Sequence, residues 1–295
     1  LVNHAGRGLT AEGLRIVQEQ IAEPRVVDRI LEDAACFRLG PFALLDLTGL
    51  DLSAKVFHLI YGGFLQEPRF RPSPLTELRV AAGLYGRKSG EGFYRYRDGT
   101  REPFHEDIPQ ASGSLPTIWL GGVDAPFRER MTALFSGSGF TIDDGVSPAP
   151  ESAVILTPVG HDLTHECLEK SVDPTRALAI DPLFGTGEAG RITLMACPAT
   201  GREIRDAVHA GLARNRPVSV IADSPGFVCQ RVVAMIVNIA CDIAQQAIAT
   251  PGDIDDAVRL GLGYPQGPLG WGDALGPGTI LTILQRLHAF YGDPR

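Results

Sequence analysis

The stretch FRLGPFALLDLTG, residues 37–49, decides the fold class because it recurs in outline as YPQGPLGWGDALG, residues 264–276. Four identities at this offset of 227 residues fall inside the stretch: Gly40 with Gly267, Pro41 with Pro268, Asp46 with Asp273 and Gly49 with Gly276. Six more lie upstream: Ile16, Gln18, Ile21, Ala22, Pro24 and Asp28 recur as Ile243, Gln245, Ile248, Ala249, Pro251 and Asp255. Ten ungapped identities over so short a span indicate a duplicated domain.

Each copy has the apolar periodicity of helices. In the first copy Leu9, Ile16 and Ile21 mark one face of a long helix, and Pro24 suits the first turn of the next. Residues 98–116 are rich in Pro, Gly, Ser and charge, which is typical of a linker. The sequence therefore predicts a helical domain over residues 1–97 and a second, incomplete one over residues 223–295.

The middle segment, residues 117–222, has a different hydrophobic pattern. Short apolar runs typical of strands alternate with helical patterns. The predicted strands are residues 117–120, 140–143, 153–157, 177–180, 192–195 and 218–222. Strands that alternate with helices predict a parallel, doubly wound sheet. The fold class is mixed, with two helical domains flanking an α/β domain.

Composition excludes several classes of protein. The 295 residues carry a formal net charge of −8, which argues against a nucleic-acid partner. Five scattered cysteines without a C-x-x-C pair are typical of reduced thiols in the cytoplasm. The most apolar stretch, residues 227–249, contains Arg231, Asp242 and several amides, so we expect a buried helix and no membrane span.

The first middle strand runs into Gly121-Gly122-Val123-Asp124-Ala125-Pro126, where a dinucleotide fingerprint would lie, with Asp143 at a suitable distance beyond. Val123 would block the close approach of a pyrophosphate, and Pro126 replaces the small residue that helix–strand packing needs. We expect a remnant that binds no cofactor.

His161 and His165 are spaced to share one helical face, as metal ligands are. No third ligand is evident from the sequence, so a solvated helix face without a metal is the preferred interpretation. Asn3, close to a helix start, would by itself be interpreted as a cap.

Four stretches together resemble the C-terminal helical domain of 3-hydroxyacyl-CoA dehydrogenases. They are LVN (residues 1–3), RLGPFALLDL (residues 38–47), FRPSP (residues 70–74) and GRKSGEGFY (residues 86–94). DSPGF, residues 223–227, is similar to the family's linker into a second such domain. The whole chain resembles long bacterial members, which carry a second, degenerate pair of domains. This resemblance implies two all-α domains like the C-terminal domain of 6-phosphogluconate dehydrogenase, flanking a degenerate Rossmann-like domain.

The resemblance also implies an activity. The family oxidises the 3-hydroxyl of an acyl-CoA with NAD, using a His base, an orienting Glu, and Ser and Asn on the substrate oxygen. It places that Asn at Asn3 and substrate contacts at Arg38, Pro41 and Leu44. The Ser, His, Glu and glycine fingerprint would belong to a Rossmann domain before Leu1. We therefore expect NAD to be bound by an N-terminal domain outside this chain, and the chain alone to be inactive.

The second pair of domains departs from the family pattern. Gln230 replaces the family's Asn, its His falls near Asp181, and its Glu falls near Leu194. The middle domain is therefore expected to be catalytically silent. In the first copy, His4 stands where the family usually has Arg, and Arg38 where it usually has Pro.

Three hypotheses follow. The chain is part of a dehydrogenase that binds an acyl-CoA beside its own NAD-binding domain, or a non-catalytic interaction module, or an enzyme whose middle domain binds a nucleotide. We also expect the two helical copies to contact each other as an internal pseudo-dimer, with a homodimer as a further option. Residues 228–243 are apolar around most of a helix and need cover on more than one side.

Overall fold

The computed structural model describes residues 1–110, 114–122, 125–187 and 190–293. The chain forms two compact units, residues 1–105 with 231–295, and residues 106–230. Both helical copies thus belong to one unit. Among the described residues, no helix has the length and apolar character that crossing a membrane requires.

The first copy is helical, as predicted. Its helices are α1 (Val2–Ala5), α2 (Arg7–Gln18), α3 (Pro24–Ala34), α4 (Pro41–Thr48), α5 (Leu50–Gly63) and α6 (Pro74–Ala81). A two-stranded antiparallel ribbon follows, made of β1 (Tyr96–Arg97) and β2 (Thr100–Arg101). Pro24 and Pro41 occupy the first turns of α3 and α4, where a missing backbone N–H has no cost.

The α/β unit contains a six-stranded sheet. Its strands and helices are β3 (Ile118–Leu120), α7 (Ala125–Gly137), β4 (Ile142–Asp143), β5 (Ala153–Leu156), α8 (Leu163–Lys170), β6 (Ala177–Ile180), β7 (Ile192–Ala196), α9 (Arg202–Leu212) and β8 (Val218–Ala222). The strand order is β4-β3-β5-β6-β7-β8. The central strands β5 and β6 are buried along their whole length.

The prediction of a parallel sheet is wrong at one place. Strand β7 pairs with β6 antiparallel, and β8 then runs parallel to β7. A parallel return needs a crossover, usually a helix of a dozen or more residues with its loops. The connection between β6 and β7 has no helix among its described residues, 181–187 and 190–191, and the strand turns back instead.

The second copy returns to helices. They are α10 (Cys229–Gln245), α11 (Pro251–Leu262), α12 (Pro268–Leu275) and α13 (Pro277–Tyr291). The aliphatic residues of α10 from Val232 to Ile243 are at most 3% exposed, whereas Cys241 is exposed, so this helix is covered on more than one side, as the sequence indicated.

Identical residues of the two copies make identical contacts. The Asp28 carboxylate accepts hydrogen bonds from Phe42 N and Ala43 N at the start of α4, at 2.9 and 2.8 Å. The Asp255 carboxylate accepts the equivalent bonds from residues 269 and 270 at the start of α12, at 2.8 and 3.0 Å. A carboxylate satisfies the unpaired amides and the positive end of a helix dipole.

The repeated glycines make room for these carboxylates. A Cβ on Gly40 would collide with Asp28, and a Cβ on Gly267 would collide with Asp255. The repeated Gly-Pro pair therefore has a packing reason: the glycine admits the carboxylate and the proline begins the helix.

The two copies pack against each other inside the helical unit, as expected. Helix α2 crosses α10 closely at Gly8, where an added Cβ would lie 3.1 Å from the Ile236 backbone. Arg231 of α10 is fully buried, and its Nη2 lies 2.7 Å from Glu12 Oε1 on α2. Arg69 also pairs with Asp242 across the two copies at 3.1 Å.

Candidate functional site

Asn3 lies inside α1 and is exposed. Its interpretation as a helix cap is wrong, because the N-cap residues of α1 and α2 are Leu1 and Gly6, and neither helix has a side-chain cap. Its amide makes no hydrogen bond to any residue that the structure describes. An exposed amide without a protein partner is available to a ligand.

Asn3 stands on the rim of a cleft of about 240 Å³ in the helical unit. The residues that line it are Val2, Asn3, Gly6, Arg7, Thr10, Leu44, Leu45, Thr48, Leu52, Ser53, Val56 and Leu262. Most are apolar, and the hydroxyls of Thr48 and Ser53 bond to each other at 2.9 Å. The structure thus brings together two residues of the predicted site, Asn3 and Leu44.

The other two residues of the predicted site do not line this cleft. Pro41 is buried at the start of α4, where it packs against Gly13 of α2 so tightly that a Cβ there would lie 2.7 Å from its Cγ. Arg38 is exposed, and its Cδ lies 3.9 Å from the Cβ position of Gly263. Pro41 is therefore a packing residue of the helical unit.

Two lining residues were missed at the sequence level. Arg7 follows Asn3 by four residues and begins the next helix, and a spacing of about one helical turn in the sequence could have identified it. Leu262 belongs to the second copy, and a Cβ on Gly6 would collide with its Cδ1. Its proximity follows from the packing of the two copies, which spacing along the chain does not encode.

The α/β unit has its own cluster around Gln230 and Asp181, two positions where the resemblance predicts counterparts of the family's catalytic residues. Gln230 Oε1 accepts from Gly160 N at 2.8 Å, and its Nε2 donates to Asp181 Oδ1 at 3.0 Å. Both side chains are buried, and burial raises the pKa of Asp181 to about 7. Leu194 is fully buried in the apolar core of this unit. The amide of Gln230 is thus occupied by its own unit, whereas Asn3 is open.

The loop after β3 does not fit a dinucleotide. Its Val123 lies outside the described residues. Trp119 fills the space beside Gly121, so a Cβ on Gly121 would collide with the Trp119 ring. The Asp143 carboxylate accepts hydrogen bonds from Gly145 N, Ala149 N and Ser152 Oγ of its own loop, at 2.8–2.9 Å. An acidic residue that binds a ribose must accept hydrogen bonds from the ribose hydroxyls, whereas both oxygens of Asp143 already accept hydrogen bonds from this loop.

Two further clusters belong to the α/β unit. The rings of His161 and His165 stack at 3.8 Å, and Glu169 adds a carboxylate within reach of the same point. Their assignment to a solvated face stays a prediction. A larger cavity of about 720 Å³ at the ends of β7 and β8 contains Arg202 and Arg205, but Asp206 already pairs with both, at 3.4 and 2.8 Å.

The model of the 3-hydroxyacyl-CoA dehydrogenase C-terminal domain matches this chain over residues 1–96 and 226–295. These two segments correspond to the two helical copies of the chain.

Known proteins are similar over different shares of the chain. The 3-hydroxyadipyl-CoA dehydrogenase of Escherichia coli is 33% identical over the entire chain, which spans 56% of that protein. A probable 3-hydroxybutyryl-CoA dehydrogenase of Deinococcus radiodurans is 42% identical over 29% of the chain and 30% of its own length. The crystal structure of an Escherichia coli 3-hydroxybutyryl-CoA dehydrogenase has a TM-score of 0.76 and 30% identity over 99% of the chain, and 56% of that structure is covered. The chain thus spans about half the length of its full-coverage relatives.

Proposed function

The chain belongs to the 3-hydroxyacyl-CoA dehydrogenase family, and on that premise we propose that it forms the substrate-facing part of an NAD-dependent 3-hydroxyacyl-CoA dehydrogenase. Such an enzyme converts a 3-hydroxyacyl-CoA to the 3-oxoacyl-CoA in fatty-acid or aromatic degradation. The observation that carries the proposal is Asn3, an exposed amide without a protein partner on the rim of a largely apolar cleft.

In this proposal the cleft holds the acyl group and Asn3 holds the oxygen that reacts. The amide Nδ2 donates a hydrogen bond to the 3-oxygen, whose charge develops as the hydroxyl is oxidised. Leu44 and Leu52 supply apolar surface for the carbon chain. Leu262 of the second copy completes this wall, which gives the duplicated domain a part in the site.

NAD is assigned to a domain outside this chain, where the general base would also lie. Trp119 and Asp143 support this assignment, because both are engaged at the place where the middle domain would bind a dinucleotide. We expect the chain alone to have no measurable affinity for NAD and no dehydrogenase activity. Calorimetric titration with NAD tests this, and a micromolar dissociation constant would contradict it.

The proposal is tested by Asn3→Ala in the enzyme that combines this chain with its NAD-binding domain. Loss of one positioned donor to a developing charge lowers kcat about a hundredfold or more, with little change in the Kd for NAD. Asn215→Ala is the matched control, because Asn215 is also exposed but binds Gly137 O in the α/β unit.

The same experiment separates the proposal from a non-catalytic interaction module, which the packing of the two copies around Arg231 favours. Near-normal turnover in Asn3→Ala would leave Asn3 without a catalytic part and support the interaction module.

A further inference from the structure

Arg7, at the start of α2, is a buried cation that lacks a counter-ion. The residue is 8% exposed, and its Nε has no hydrogen-bond partner among the described residues. The guanidinium carbon lies 4.5 Å above the ring of Phe57, and burial lowers the pKa of Arg7 from its ordinary value. A desolvated charge is costly unless an opposite charge compensates it.

The surroundings of Arg7 supply no such charge. Among the described residues that line its cleft, none is acidic and Arg7 is the sole cation. The other buried arginine of this unit, Arg231, is held by Glu12 and Glu19 at 2.7 and 2.8 Å. Arg7 therefore differs from a structural ion pair, and its position suits an anion brought by a ligand.

The position of Arg7 relative to Asn3 limits what that anion can be. The two residues are four positions apart on the consecutive helices α1 and α2, and both line the same cleft of about 240 Å³. If Asn3 holds the 3-oxygen, the anion lies only a few carbon atoms beyond it. Leu44, Leu45 and Leu52 contribute apolar surface to the same cleft.

We propose that Arg7 is the specificity-determining residue for a terminal carboxylate, so that the substrate is a short dicarboxylic 3-hydroxyacyl-CoA. This inference rests on the proposed function. A guanidinium binds a carboxylate through two parallel N–H···O bonds, and a carboxylate at the buried end of an apolar cleft neutralises the charge that burial left uncompensated. A CoA phosphate fits less well, because polyanionic groups are held by several cations near water and this cleft has one, which is buried.

The test compares two substrates of equal carbon number in the enzyme with its NAD-binding domain. The ratio of kcat/KM for 3-hydroxyadipyl-CoA to that for 3-hydroxyhexanoyl-CoA is measured for the native enzyme and for Arg7→Met. The native enzyme favours the dicarboxylic substrate, and Arg7→Met lowers that ratio at least about tenfold, because a hydrogen bond to a charged group is lost. Because the ratio compares two substrates in the same protein, an effect of the variant that is common to both substrates cancels.

Arg7→Lys and Arg79→Met are the accompanying variants. Arg7→Lys retains the positive charge but not the planar guanidinium that donates two parallel hydrogen bonds. The ratio of kcat/KM values therefore falls less in Arg7→Lys than in Arg7→Met. Arg79 is a matched control, since it is also partly buried with an unpartnered Nε and stacks on Phe93 at 4.0 Å, but it does not line the cleft. Arg79→Met leaves the ratio unchanged.

Urea unfolding gives a readout besides activity. Because Arg7 has no ionic partner to lose, Arg7→Met has an unchanged or higher urea midpoint. An equal loss on both substrates would assign Arg7 to a part of the ligand that they share, or to the fold, and would overturn the inference while the proposed function stands. Absence of turnover with either substrate in the native enzyme would overturn both.

Discussion

The two helical copies agree in the residues that cap and position their helices, and they differ at Asn3 and its counterpart Gln230. Asp28 and Asp255 cap equivalent helices through the same pair of amides, and Gly40 and Gly267 make room for them. Asn3, by contrast, is open on a cleft, whereas its counterpart Gln230 is bound within the α/β unit. The duplication has thus retained the residues on which the fold depends, while the position to which we assign a substrate contact has diverged.

The interface between the copies shows the same divergence in its charges. Arg231 on α10 pairs with Glu12 on α2. At the offset of 227 residues the reciprocal pair would be His4 with Ile239, neither of which can replace a salt bridge between Arg and Glu. One pair has retained both charges and the other has lost both, which is expected if a buried charge is tolerated only with its partner.

The largest effect is expected from breaking the retained pair. Arg231→Met removes the ion pairs of Arg231 with Glu12 and Glu19, at 2.7 and 2.8 Å. This costs about 3 kcal/mol in the free energy of unfolding, although the buried Glu12 keeps its pair with Arg15 at 3.0 Å. Replacing both, with Glu12→Leu added, costs less than the sum of the two single changes, because each single change already breaks the ion pair between these two residues. Urea unfolding of the four proteins measures the coupling, and strictly additive costs would contradict it.

The control for this cycle is Arg259→Met. Arg259 forms an exposed pair with Asp256 at 3.6 Å, with side chains 55% and 67% exposed. Such pairs contribute well under about 1 kcal/mol, so this variant stays close to the native protein.

A smaller effect distinguishes the two helix-capping aspartates. Asp28 accepts a third hydrogen bond, from Tyr94 Oη at 2.7 Å, and is 1% exposed, whereas Asp255 is half-buried. Asp28→Ala should therefore cost about 2–3 kcal/mol and Asp255→Ala about 1 kcal/mol. Thermal and urea unfolding measure both, and an equal cost would mean that the tyrosine contact adds nothing.

The sequence predicts features of this fold that depend on neighbouring residues better than features that depend on residues distant along the chain. The repeat, the helices and the strand positions are local or periodic, and Gly40, Pro41 and Asp28 identified a scaffold whose contacts the structure then explained. The antiparallel strand β7 was missed because direction depends on how a connection closes in space. The substrate contacts that resemblance assigns to Arg38 and Pro41 stay a prediction. The packing of Pro41 against Gly13 and the exposure of Arg38 near Gly263 are tertiary properties, which the sequence does not encode locally.

The smallest effect concerns His4, which stands where the second copy has Arg231. His4 is 8% exposed, its ring lies 4.2 Å from that of Phe64, and its Nε2 has no partner among the described residues. Burial lowers the pKa of His4, although Asp242 acts in the opposite direction. The unfolded chain therefore takes up the proton first, so the contribution of neutral His4 is present above about pH 6.5 and is lost as the pH falls.

Replacing His4 with Phe should remove this part of the acid sensitivity. The free energy of unfolding between pH 7 and pH 5 should then fall less in His4→Phe than in the native protein, by no more than about 1 kcal/mol. Asp28 and Asp181, whose pKa values burial raises to about 7, act in the opposite direction, but they are common to both proteins and cancel in the difference. The exposed His105→Phe serves as the control and leaves the pH dependence unchanged. Identical pH profiles for His4→Phe and the native protein would mean that His4 is accommodated in its charged form, as Arg231 is, and that the two copies differ less at this position than their contacts indicate.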